Sequence, residues 1–183
     1  MPEYRRTWSP GGTFFFTLVT YNRRPIFQDE GARKILREAF AFGAQKVGPF
    51  QIDAMCLLPE HLHCTWTLPE KDGDYSTRWK VIKSYFSHRY IRGGGIPGSL
   101  TTSKFQKGEV GVWQRRFWEH EIRDMEDYRR HLDYIHYNPV KHGLVDTVRA
   151  WPWSTFHRYV REGYYDLDWG SENAEVAKIT FEE

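Results

Sequence analysis

Residues 13–21 read TFFFTLVTY, an aromatic and β-branched run behind Gly11-Gly12, and this composition predicts a strand. Over 30–47 the apolar positions Ile35, Leu36, Ala39 and Phe40 recur at helical spacing, which predicts an amphipathic helix. Two further strands are expected over 50–58 and 61–68, around a tight Pro59-Glu60 turn. A second helix follows, capped by Ser76, with Trp79, Ile82, Phe86 and Tyr90 as its apolar stripe. The Gly-, Ser-, Thr- and Lys-rich stretch 93–111 reads as a mobile loop, and 113–122 holds the last strand. Asp124 starts a third helix that is expected to run to Asn138 and to stop at Pro139. The aromatic stretch 151–165 is expected to pack on the body, and no internal repeat is found.

The order β-α-β-β-α-β-α defines an α+β, ferredoxin-like (RRM-like) fold. Four antiparallel strands carry two helices on one face, leaving the other face for a site. The 183 residues suit one domain over 1–170, with 171–183 as an acidic, flexible tail. The N-terminal MPEYRR has no apolar stretch and no run reaches the length of a membrane helix, so a cytoplasmic protein is expected. Two cysteines make neither a disulfide framework nor a four-thiolate zinc site. Cys56 and Cys64 are expected to face each other across the hairpin, inside the core, as small apolar groups.

Net charge is only +2, but it is unevenly spread. Residues 162–183 hold seven acidic residues and one lysine; without them 25 basic residues face 17 acidic ones, or +8. A basic body with an acidic tail fits a nucleic-acid binder, although ordinary surface charge accounts for it equally well. Aromatic residues make up 17%, which serves either base stacking or a core.

The chemistry is concentrated in two places. In LPEHLHCTW at 58–66, strand alternation puts His61 and His63 on one face and Leu62, Cys64 and Trp66 on the other. Paired imidazoles can share a divalent cation. An isolated His-x-His is nevertheless more often two surface histidines, so the pair needs a partner. The third helix offers one. At about 100° per residue, Tyr128, Leu132 and Ile135 form an apolar stripe, and Asp127, His131, Tyr134 and Asn138 a polar stripe beside it. Tyr134 and Asn138 stand one turn apart. A metal on His61, His63 and the Asn138 carbonyl oxygen would therefore lie one turn from the Tyr134 hydroxyl. Helix geometry alone also allows Tyr134 to be a half-buried packing residue.

HLH at 61–63 followed by DYIHYNPVKHGLV at 133–145 resembles the REP-associated tyrosine transposases. That family belongs to the single-tyrosine branch of the HUH nucleases, where H is histidine and U a bulky apolar residue. EYRR at 3–6, GGTFFFT at 11–17, LPEHLHCTWTLP at 58–69, RFWEHEIRD at 116–124 and WPWSTFHRY at 151–159 are similar to the same family, so the resemblance spans roughly residues 3–170. It implies catalytic Tyr134, metal ligands His61, His63 and Asn138, and Mg²⁺ or Mn²⁺. It also implies a single-stranded DNA substrate in which a short tetranucleotide lies beside a hairpin, as in REP sequences. The resemblance implies that the strand is cut and rejoined through a 5′-phosphotyrosine. The stretch 93–111 is longer than expected in the family and bears on substrate preference.

Arg5, Arg6, Arg115, Arg116, Arg123 and Arg130 are candidate DNA contacts, since arginine holds phosphates and reads guanine edges. Glu60 and His131 are candidate proton carriers. The site is expected to form in cis within a monomer, and a DNA enzyme of this kind is expected at the nucleoid. A 2H-type phosphoesterase needs two His-x-Thr/Ser motifs and only His63-Cys64-Thr65 supplies one. A non-catalytic RNA-binding module would show exposed aromatics where this face offers His61, His63, Thr65 and Thr67.

Overall fold

The computed structural model describes residues 8–171. Arg5, Arg6 and the tail from residue 172 onward lie outside the described residues. Four strands, β1 (Thr13–Val19), β2 (Gln51–Leu57), β3 (His61–Thr67) and β4 (Trp118–Glu121), form one antiparallel sheet in the order β2-β3-β1-β4. This is the order that two interleaved βαβ crossovers produce. The crossovers run through α1 (Glu30–Val47) and α2 (Tyr75–Arg92), packed side by side on one face. A short α3 (Thr102–Gln106), then α4 (Met125–Lys141) and α5 (Phe156–Arg161), complete the helices. Among the described residues no helix is long and apolar enough to cross a membrane.

The alternation of β1 assigns its residues to two cores. Phe14, Phe16 and Leu18 pack with Leu62, Cys64 and Trp66 of β3 beneath α1 and α2. Trp66 and Trp79 stack there at 4.0 Å between ring centroids. Phe15 points the other way, into a second core with Ala54, Cys56, Leu132, Ile135, Trp151 and Tyr159. The second sheet face is therefore not open, as the sequence suggested, but roofed by α4 and the segment that follows it. Trp153 to Thr155 run along the β2 edge: Leu57 N–H donates to Trp153 O at 2.9 Å and Thr155 N–H to Met55 O at 2.9 Å. The aromatic stretch thus packs on the body and shields an edge strand from outside pairing.

Four local expectations change. Asp74, not Ser76, caps α2, its Oδ1 accepting from Thr77 N–H at 2.8 Å. Part of 93–111 is the helix α3, capped by the Thr101 hydroxyl. Pro139 lies inside α4, which continues to Lys141. A proline near the end of a helix costs one backbone bond, and the last turn closes through His142 N–H to Asn138 O at 3.0 Å, with Gly143 at φ 66° reversing the chain. Finally, the two-residue turn sets Cys56 opposite His63 and Met55 opposite Cys64, and a bulge between Ile52 and Ala54 shifts the register beyond them. The two cysteines are both buried but lie in different cores, where burial pushes both thiols up.

Gly43 of α1 sets the spacing of the helix pair, because a Cβ there would stand 2.6 Å from Ile82 Cγ1. Gly43→Val should destabilise the protein by roughly 1–3 kcal/mol through overpacking, and Ile82→Ala by roughly 2–5 kcal/mol through a cavity. In urea denaturation the double variant should lose clearly less than the sum, since each change relieves the other; simple additivity would refute the contact.

Candidate active site

The Pro59-Glu60 turn delivers His61 to the first position of β3, and the pleat brings His63 to the same side. Their rings lie 4.8 Å apart and nearly perpendicular, and both are buried. Each has its Nδ1 engaged: His61 with Glu60 Oε1 at 3.0 Å, His63 with the Thr17 hydroxyl at 2.8 Å. Thr17 reaches His63 because the two are register partners across β1 and β3. Such partners orient an imidazole and direct its Nε2 toward whatever it binds. Burial pushes His61 down to about 4, against the opposing pull of Glu60, with His142 lowering it further. Burial, then the charges of His61, His142 and Lys141, hold His63 well below its usual range. At neutral pH both rings are neutral, the form that ligates a metal.

The α4 helix lays its polar stripe on this pair. Asp127, His131, Tyr134 and Asn138 are all buried along it. The Tyr134 ring sits edge-on to His63, 5.1 Å between centroids, and Lys141 Nζ lies 4.6 Å from the Tyr134 centroid. One turn on, Asn138 donates from Nδ2 to Tyr134 O at 3.4 Å, and its Oδ1 is buried with no hydrogen-bond partner among the described residues. A buried amide oxygen in that state is costly unless something binds it. Two neutral imidazoles oriented through Nδ1 and an unsatisfied amide oxygen fit a divalent cation. Tyr128 turns away, sharing a 3.1 Å hydrogen bond with the Tyr159 hydroxyl, and Tyr137 stands against Trp169.

Glu60 stays beside the histidines, but His131 does not join them. Phe15 intervenes, 5.7 Å from His63 on one side and 4.8 Å from His131 on the other. His131 belongs to a second group of potential metal ligands with His120 and Asp127. Its ring stacks on His120 at 4.7 Å, and its Nδ1 meets Asp127 O at 2.8 Å. Burial alone would raise Asp127, but hydrogen bonds from His120 and Arg123 hold it well below the usual carboxylate range. Arg123 pairs with Asp127, and it lies at the surface together with Arg115, Arg116 and Arg130. The sequence reading omitted Thr17, Lys141 and His142. Lys141 was within reach of helix arithmetic, being seven residues beyond Tyr134 and so on the same side; Thr17 required the β1–β3 register.

The fold and site define a class: an α+β enzyme in which a helix-borne tyrosine faces a pair of strand histidines. A REP-associated tyrosine transposase of Escherichia coli K12 is 45% identical over 172 residues, covering 94% of this chain and 93% of the relative. A relative from Haemophilus influenzae is 40% identical over 170 residues, covering 93% and 94%. A solved structure of a REP-associated tyrosine transposase bound to a REP hairpin aligns over all of both chains, at 42% identity and a TM-score of 0.76. No protein-family model matches the chain. The chain belongs to the REP-associated tyrosine transposases.

Burial lowers His131 from its ordinary 6.5 to about 4. Between those values the unfolded chain takes up a proton that the folded one refuses, so stability should fall as pH drops from 6.5 toward 4. The contribution is on the order of 1–3 kcal/mol. His131→Gln should make the pH dependence of the unfolding free energy shallower in that window; an unchanged slope would show that His131 is not held neutral.

Proposed function

We propose that the protein cuts and rejoins single-stranded DNA of REP type, beside a hairpin, with Tyr134 as nucleophile and His61, His63 and Asn138 as ligands of Mg²⁺ or Mn²⁺. The reading rests chiefly on the packing of the Tyr134 ring against His63, with Asn138 one turn away. The relatives' family name and the hairpin bound to the solved family member support the substrate class.

The Tyr134 oxygen attacks a backbone phosphorus, the bond from phosphorus to the 3′ oxygen breaks, and the 5′ phosphate remains on the tyrosine. The 3′ oxygen leaves and takes up a proton. A tyrosine hydroxyl titrates near 10 and is a weak nucleophile while neutral. Lys141 above the ring favours the phenolate through its charge. Glu60 is the better placed of the two proton carriers, because Phe15 separates His131 from the histidine pair. A divalent cation held by His61, His63 and Asn138 would supply Lewis-acid stabilisation of the phosphate. The phosphotyrosine ester conserves the bond, so a free 3′ hydroxyl can reverse the step and rejoin strands. The strand must be single because a duplex backbone cannot lay its phosphate under a roofed sheet face. We assign this chemistry to a cytoplasmic, nucleoid-associated monomer whose site forms in cis.

Incubation with single-stranded hairpin DNA should give a covalent adduct on denaturing gels, mapped by mass spectrometry to Tyr134. Tyr134→Phe should abolish it while DNA binding survives, and EDTA, His61→Ala or His63→Ala should each slow cleavage at least ~100-fold. A nucleotide on Tyr128 or Tyr137, equal cutting of a perfect duplex, or full activity in EDTA would each overturn the assignment.

Tyr134→Phe mixed with His63→Ala protein should remain inactive, because each chain carries only half a site. Restored cleavage in the mixture would mean that the tyrosine helix is exchanged between chains.

A further inference from the structure

The segment before β4 runs beside the end of β1, with Trp113 bridging Thr20 and Gln114 N–H donating to Val19 O at 2.9 Å. Lys83 of α2 pins the segment by donating to Gln114 O at 2.7 Å and Arg115 O at 3.1 Å. Two clefts meet on it. One, about 290 Å³, includes Thr17, Val19, Arg23 and Arg116 in its lining. The other, about 370 Å³, lies between α2 and residues 107–115, with Lys83, Lys107, Trp113 and Arg115 on its walls. Gln114 lines both, so the two clefts lie side by side along the segment, as a track would. Its inner end adjoins the histidine pair, since Thr17 and Val19 are the register partners of His63 and His61.

We propose that this track seats the phosphate backbone of a single DNA strand running on from the active site around the β4 edge. The inference rests on the proposed function and deepens it by assigning a place to the single-stranded flank. The charge is suited to a polyanion: Arg23, Arg116, Arg115, Lys83 and Lys107 lie along the track, against one carboxylate, Glu109. Lys107, Arg115 and Arg116 make no ion pair among the described residues, so no internal partner competes for them. Trp113, largely buried beneath the cleft, gives it a packed aromatic wall. The wall is built rather than pliable: Gly98 N–H donates to Gly111 O at 2.7 Å, and a Cβ on Gly111, at φ 67°, would stand 2.4 Å from Gly98 O. A line of separate charges that turns an edge holds an extended strand, whereas a compact ligand would leave most of them unused.

The test measures binding of hairpin DNA by fluorescence anisotropy, with the single-stranded flank lengthened on either side and salt varied. The wild-type protein should gain affinity as one flank grows. Lys107→Ala/Arg115→Ala, two exposed changes outside the proposed catalytic group, should lose that gain and weaken the flanked hairpin more than the flankless one. The slope of log K against log salt should fall by roughly 0.7 per removed charge. Lys107→Glu/Arg115→Glu should enlarge the effect. A double variant that matches the wild type at every flank length and salt overturns the track assignment alone. Equal weakening of the flankless hairpin also overturns it, since the stem would then occupy the cleft. Wild-type protein that neither binds these DNAs nor forms a Tyr134 adduct overturns the proposed function as well.

Discussion

The pleat of β1 and β3 is the constraint on which the rest depends. Successive side chains of a strand must face opposite ways, so HLHCTWT cannot serve its core without also presenting its histidines to the other face. Leu62, Cys64 and Trp66 commit one side to α1 and α2. His61, His63 and Thr65 are thereby fixed on the other, as are Phe15 and Thr17 of β1, by register. A core of this kind admits no slip, because moving β3 by one residue would bury two imidazoles among the tryptophans and turn Trp66 outward. The precision of the site is thus inherited from the packing of the opposite face.

What turns a polar strand face into a reactive one is the roof. Under α4 the two imidazoles lose solvent and become neutral donors, each held through Nδ1 by a different partner. The same burial that removes their charge leaves Asn138 Oδ1 without a hydrogen-bond partner among the described residues and brings Lys141 over the Tyr134 ring. Water would otherwise satisfy the amide and screen the lysine. Desolvation, histidine neutrality and an unsatisfied oxygen therefore share one cause, the docking of a single helix.

Much of this was legible from residue order, and the misreadings share a pattern. Strand alternation and helix rotation are local rules, so they put His61 with His63 and Tyr134 with Asn138, and they set Tyr128 on a different stripe, as the structure has them. Contacts between elements were less visible. Cys56 was set on the wrong side because opposing Cys64 requires a hairpin centred on Glu60, whereas the two-residue Pro59-Glu60 turn pairs Cys56 with His63. Pro139 read as a helix end because a lone proline signals a break, whereas here it falls in the last turn, where a single missing N–H is tolerated. His131 shared the tyrosine's stripe by rotation, yet Phe15 separates it from the histidine pair. The second face read as open because the sequence does not say where a third layer of chain will settle.

The roof is itself held from several directions, and this bears on how substrate reaches the site. At its start, Asp124 caps α4 and Asp127 draws in His120 and Arg123. Along its outer side, Tyr165 donates to Asp133 at 2.6 Å, and His136 meets the Thr155 hydroxyl at 2.9 Å. Thr155 in turn bonds to Met55 on the edge of β2, so the helix, the following segment and the sheet are tied in one closed circuit. That circuit closes the β2 side, where Trp151 also donates to Leu57 O. On the β4 side α4 is tied through Asp127 to His120, and the segment just before the strand exposes Gln114, Arg115 and Arg116. The strand path proposed above would enter beside that segment, between the tie at His120 and the end of β1, where Arg115 and Arg116 are exposed.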